Sequence, residues 1–471
     1  MADSLSRRLA RFSSSLSYEA LPPQVVDKVK ASLLHGLIIS ILGADTNHGK
    51  AAIELAKSEE GKADGATILV DGSRATRSGA VFANSKLMHA TNQSDSYRML
   101  IHPGPCVIPA GLAAAELIGA SGRDLLTAMV AGYELESRIA GDFIPSTQAR
   151  GFRSSPVYGT LGASITTGKL LGLTEDQAVT SLALAATFAG GTTEGPRAGG
   201  GEMMFHEPNA TRNGVMAALL ARENIQGSET SLEGDAGFYN AFTGNNQGRL
   251  SYVFAGPQET SISAVADDLG QRWEIMHITP KIYQTAGYNC PVIDLLTRIR
   301  ARHDLNPAEV ERITVDMNLL ETSYPSPAFP NPQRSTPGIG STHYFAAYTC
   351  AHGSYPPLKP RIDPGQTSPP TTPDDDQVVM NLLGKVDVIG HNDRPAFAPR
   401  ITIRMVGGTT YQGEFEGTEL EWDMATETQR ITEIFDGIPW PRYKLQGIVD
   451  AVSNLEQAPT LDPLIQLCVN G

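Results

Sequence analysis

Apolar positions recur at helical spacing from the N-terminus to about residue 270, and this pattern predicts a long run of packed helices. Leu5, Leu9 and Phe12 mark one face of a first amphipathic helix, although the Ser/Arg-rich start, with Arg7, Arg8 and Arg11, also has the texture of a transit peptide. Ser121 with Asp124 makes an S-x-x-D helix start, and Leu125, Met129 and Tyr133 follow along one face. Thr174 with Gln177 repeats the signature before Ala178, Leu182 and Ala185. An apolar helix is predicted over 109–120. Small residues such as Ala113, Ala114, Ala183 and Ala186 let helix axes approach closely, which points to helices buried on several faces. No strand-length alternating run competes in this half.

The texture changes after Trp273. Asn306-Pro307 opens a short helix in cap-then-Pro order, and Ile313, Val315 and Met317 then alternate as in a strand. A β-branched stretch covers 385–389. Ile401, Ile403 and Met405 alternate toward Gly407-Gly408, with Tyr411 and Phe415 beyond, and predict a hairpin. These elements form a smaller α+β module. Helical spacing returns over 443–467, and the Pro-rich, finally acidic stretch 355–376 is expected to be a mobile surface loop.

Composition narrows the class. With 471 residues the chain is long enough for two or three domains at roughly 100–200 residues each. A hydrophobic fraction of 41%, to which 46 glycines add, rules out disorder as the main state. Lys+Arg 37 against Asp+Glu 51 leaves a net charge of −14, which argues against nucleic acid or an anionic membrane as the main partner. The longest apolar stretches, 37–44 and 182–191, fall short of the ~20 residues a bilayer helix needs. Cys106, Cys290, Cys350 and Cys468 have no CxxC spacing and read as reduced thiols of a cytoplasmic protein.

No metal site is predicted, because His102, His206, His277, His343 and His352 never pair at i, i+3 or i, i+4. The Gly-rich stretch 190–201 lacks a nucleotide-loop pattern, but its backbone N–H groups with Arg197 have the makings of a carboxylate site. The segment from Asp95 through Arg98 to His102-Pro-Gly is more specific. It packs a carboxylate, a guanidinium and an imidazole ahead of a Pro-Gly turn that exposes side chains. Arg98 has the fork geometry to clamp a carboxylate, and His102 can move a proton near neutral pH; a satisfied loop histidine fits the same spacing. Lys281, in Lys281-Ile-Tyr283 running to Tyr288 and Cys290, lies at the change of texture, where partial desolvation in a cleft would suit it to acid/base work. His206 with Arg212 is a third cationic cluster. Three basic clusters in an acidic chain suit a small, multiply anionic ligand.

The blocks Asp95…His102-Pro-Gly, Ser121-Gly-Arg-Asp-Leu-Leu, Gly151-Phe…Gly159-Thr-Leu-Gly, Ala210-Thr-Arg-Asn-Gly and Lys281-Ile-Tyr resemble the MmgE/PrpD family. The likeness runs from about residue 20 to 320 and is weaker beyond. The resemblance implies a mainly α fold: a large all-helical domain from both chain ends (1–273 and 419–471) with an inserted α+β lid domain (274–418). It also implies no cofactor, a homodimer, and chemistry on a small di- or tricarboxylate through a carbanion beside a carboxylate. Such a carbanion needs cations to hold its charge and groups to carry protons.

By the same resemblance, His102 is the proton carrier, Lys281 the acid/base or charge-stabilising cation, and Asp95 the residue that orients His102. Arg98, Arg153, His206 and Tyr288 are the expected carboxylate anchors and substrate-binding residues. The chain departs from the family where a second active-site lysine falls on Met203 and where a lid histidine would fall near Ala286 or Cys290. The G-W-H element is Gly151-Phe152-Arg153. Three readings stay open: a dehydratase- or decarboxylase-type lyase, an α-carbon epimerase of an aspartate-derived dicarboxylate such as iminodisuccinate, and a non-catalytic polycarboxylate binder.

Overall fold

The computed structural model describes residues 3–223, 225–358 and 376–470, and the fold is mainly α. Its centre is the helix Pro23–Ala44, predominantly apolar and buried along nearly its whole length. Leu33, Leu34, Leu37 and Ile38 are each no more than 1% exposed; burying a side chain of this size contributes about 1.5–3 kcal/mol.

The C-terminal helices Met424–Thr432 and Arg442–Ser453 pack on this same helix. Its two buried lysines fasten them: Lys28 Nζ donates to the Trp422 carbonyl and Lys30 Nζ to that of Ser453, both at 2.9 Å. The chain therefore returns at its end to the helices of its beginning.

Around this centre the helices Gly104–Ile118, Gly122–Ala140, Ser154–Leu170 and His206–Ala221 cross at close range. A methyl group placed on Gly214 would lie 2.4 Å from the Thr160 carbonyl oxygen, so glycine is required at that crossing. The S-x-x-D and T-x-x-Q signatures form complete capping boxes at Ser121 and Thr174. The first amphipathic helix is Leu5–Ser15, with Leu5 and Leu9 buried.

Two expectations change. The apolar helix begins at Gly104, and Pro109 lies inside it. The Pro105 carbonyl, which Pro109 has no N–H to satisfy, instead accepts from the Thr211 hydroxyl at 3.1 Å. The N-terminal half also contains a two-stranded antiparallel sheet, Gly61–Thr67 with Arg74–Ala75. Its exposed residues come first and its buried ones last, so period-2 alternation is absent from the sequence.

The smaller module has a four-stranded sheet in the order Val386–His391, Val310–Asn318, Arg400–Met405, Thr410–Glu414. The first pair is parallel and the others antiparallel, with Ile403 opposite Tyr411 in the predicted hairpin. The helix Asn289–His303 packs on it. Most of the Pro-rich stretch, 359–375, lies outside the described residues. Among the described residues no helix is long and apolar enough to cross a membrane, and all four cysteines are buried free thiols.

Candidate active site

Two segments distant in sequence are tied together first. Ser96 and Thr279 exchange backbone hydrogen bonds at 2.8 Å each way. Gln93 Nε2 donates to the Ile282 carbonyl at 2.8 Å. Buried His35 spans both segments, bonded to the Gln93 carbonyl at 2.7 Å and to Glu427 at 2.8 Å, with the Lys281 N–H 3.4 Å from its Nε2. These contacts bring His102 and Lys281 into the wall of one cleft of about 460 Å³.

His102 is held in a defined orientation. Its backbone N–H donates to Ser155 Oγ at 3.0 Å, and its Nδ1 lies 2.8 Å from the Asp95 carbonyl oxygen. A carbonyl only accepts, so Nδ1 carries the hydrogen and Nε2 keeps its lone pair. Asp95 meets His102 through its backbone carbonyl, not through its carboxylate. The carboxylate instead accepts from the Gly104 N–H at 2.9 Å, capping the helix Gly104–Ile118, and from the Tyr133 hydroxyl at 2.8 Å.

Burial, joined by the charges of Lys281 and Arg153, holds the His102 pKa well below its ordinary value. Burial also draws Lys281 down to about 8, with Arg153 adding to the effect. The pair at neutral pH is a neutral imidazole beside an ammonium group.

Arg153 stands at the N-terminus of the helix Ser154–Leu170, with its guanidinium ion-paired to fully buried Glu207. Glu207 also lies 3.3 Å from Nε2 of His89, whose ring is 5.2 Å from that of His102. Tyr288 lines the cleft next to Tyr324, and burial pushes its hydroxyl up to about 12. Met203 and Ala286 form part of the wall at the positions where the family pattern places a lysine and, nearby, a histidine.

Arg98 and His206 are not in the lining. Tyr97 and Ile101 bond to each other across a tight turn in which Arg98 and Met99 have φ of 44° and 68°. That turn puts Met99 into the cleft and Arg98 on the other side, 2.6 Å from Asp142 in a separate cavity. His206 starts the helix His206–Ala221, half-buried and with no hydrogen-bond partner for Nδ1 among the described residues; burial and then Arg153 lower its pKa to about 4. Arg197 pairs with Glu194 at 3.1 Å on the surface.

His89, Arg334 and Tyr324 line the cleft without having stood out in the sequence. His89 reads as the last residue of an ordinary helix, and Arg334 sits in a Pro-rich turn with no pattern of its own. Five basic side chains (His89, His102, Arg153, Lys281 and Arg334) thus line the cleft, and among the described residues no Asp or Glu does. Among the described residues, no three His, Cys, Asp or Glu side chains converge as a metal ion would require. A larger cavity, of about 560 Å³, lies beneath the first helix, with mostly apolar and hydroxyl walls and a Lys169 ammonium already bonded to the Ser14 and Leu16 carbonyls.

Fold and cleft together define a mainly helical protein with an α+β insertion and a cleft lined by basic side chains. The N-terminal domain profile of the MmgE/PrpD family matches residues 7–251, and the chain belongs to that family. It is 26% identical to a cis-aconitate decarboxylase of Aspergillus terreus over 66% of this chain and 63% of that protein. A cis-aconitate decarboxylase-like protein of Aspergillus oryzae is 25% identical over 67% and 66% of the two chains. The human cis-aconitate decarboxylase is 28% identical over half of each chain. The chain spans between half and two thirds of the length of these relatives.

Proposed function

We propose that this protein is an enzyme acting on a small di- or tricarboxylate through a carbanion next to a carboxylate, as a lyase of the dehydratase or decarboxylase type. The observation that carries the reading is the cleft wall: five basic side chains without a lining carboxylate, in a chain of net charge −14. A carboxylate about 4 Å from the Lys281 ammonium gains about 4 kcal/mol at an effective dielectric of about 20. A carbanion formed beside that carboxylate spreads its charge onto the same oxygens, so the attraction grows as the reaction proceeds.

His102 Nε2 is the base, and its tautomer is set by Asp95. In a dehydration it takes the α-proton and hydroxide leaves from the neighbouring carbon. In a decarboxylation the C–C bond breaks first, the electron pair stays on carbon, and the Lys281 ammonium delivers the proton. The related decarboxylases support the lyase reading. Incubating the intact chain with citrate, aconitate, methylcitrate and aspartate-derived diacids, with detection by mass, tests it: CO2 or an unsaturated product is the expected outcome.

A second reading is favoured by Met203 and Ala286, which leave fewer proton-carrying groups in the wall. An α-carbon epimerase needs only one proton removed and returned. Deuterium entering recovered substrate from D2O, without loss of carbon or water, would select it. A ligand that raises the melting temperature with no turnover would select a non-catalytic binder instead. The homodimer belongs to the same reading, and light scattering of the intact chain tests it.

A further inference from the structure

This inference rests on the proposed carboxylate-handling role of the cleft and narrows it: we infer that the site is charge-matched to a dianion. The ligand is a short dicarboxylate whose reacting end meets Lys281 and whose remote carboxylate is held by Arg334.

The argument is a charge count along the wall. Arg153 lines the cleft, but its charge is already met by Glu207, a fully buried carboxylate in direct ion pair with it. Arg153 therefore offers hydrogen bonds without adding net charge. His102 and His89 are both held neutral by burial and by each other's cationic neighbours. Two cations remain. Neither Lys281 nor Arg334 has an ion-pair partner among the described residues. Among the described residues Arg334 donates only to the Gly340 carbonyl, at 3.4 Å, so most of its five donors stay available for a planar, two-oxygen partner.

The two cations come from different parts of the molecule. Lys281 belongs to the segment anchored on His35 and Ser96, and Arg334 to the short helix Pro332–Ser335 in the α+β module. A ligand that satisfies both must carry a carboxylate at each end. A third carboxylate would find neutral donors in the wall, such as Asn92, Thr285 and Tyr288, but no further unpaired cation, and a desolvated charge without a counter-charge is disfavoured. A monocarboxylate would leave Arg334 unmatched. Arg334 is thus a binding residue that sets specificity, and the count separates this chain's ligand from a tricarboxylate such as the cis-aconitate of its relatives' names.

Calorimetric titration of the intact chain at neutral pH with succinate, tricarballylate and butyrate tests the count without needing turnover. Succinate should bind at least about tenfold more tightly than either of the others. Arg334→Met should weaken succinate by about tenfold or more and leave butyrate unchanged, while Arg334→Lys keeps the preference for succinate. Tighter binding of tricarballylate, or an Arg334→Met variant with unaltered succinate affinity, would overturn the charge match and leave the carboxylate reading standing. Absence of binding by all three would overturn both. If Arg334→Met does not fold, the wild-type series and Arg334→Lys decide the matter.

Discussion

The imidazole of His102 is oriented by the backbone of Asp95: Nδ1 lies 2.8 Å from that residue's carbonyl oxygen, while the Asp95 carboxylate turns away to cap the helix at Gly104. One residue therefore does two separable jobs. Asp95→Asn keeps the carbonyl and an oxygen for the cap, so the His102 tautomer, read from its ring ¹⁵N shifts, should not change. On the substrate that gives turnover, kcat should fall less than about tenfold in this variant, whereas His102→Ala should lose about 10²–10⁴-fold. A loss in Asp95→Asn as large as that in His102→Ala would refute the backbone role.

The pH profile follows from the same pair. His102 is required neutral, and its depressed pKa puts the acid limb below the ordinary histidine range. Lys281 is required as ammonium, which is present below about 8 and lost above it. The kcat/KM of the free enzyme should therefore decline as pH rises through about 8. In Lys281→Arg that decline should move beyond the measurable range, because a guanidinium does not titrate there.

Arg153 and Glu207 should show their coupling in stability. Removing the guanidinium strands a carboxylate that is fully buried, at a cost of about 3–5 kcal/mol. Urea titration of Arg153→Met should show that loss, and adding Glu207→Gln should recover much of it. A single variant as stable as wild type would mean the pair contributes little.

Arg98 provides the contrasting case. Its partner Asp142 is half-exposed and the pair lies outside the cleft. Arg98→Ala should leave KM unchanged and stability within about 0.5 kcal/mol of wild type. A large rise in KM would place Arg98 back in the substrate site.

Met203 tests the charge count from the other direction. Met203→Lys adds a third cation to the wall and should improve binding of tricarballylate relative to succinate by about tenfold or more. An unchanged ratio would show that charge number does not set the preference.

Much of this protein was legible in local pattern. Capping boxes at Ser121 and Thr174, the alternation of Ile313, Val315 and Met317, and the Gly407-Gly408 turn depend on neighbours a few residues away, and such interactions are written directly in the chain. The motifs around His102 and Lys281 were visible as residue types in suggestive contexts. What the sequence could not express was direction. A turn with two positive φ values decides that Met99 faces the cleft and Arg98 faces away. A backbone exchange between Ser96 and Thr279 decides that His102 and Lys281 meet at all. His89 and Arg334 reach the cleft, and Glu207 reaches Arg153 beside it, only because helices and a distant module converge there, and the burial that holds His89 neutral exists only after that convergence. Local hydrogen bonding and periodicity belong to the sequence; desolvation and charge pairing belong to the folded whole.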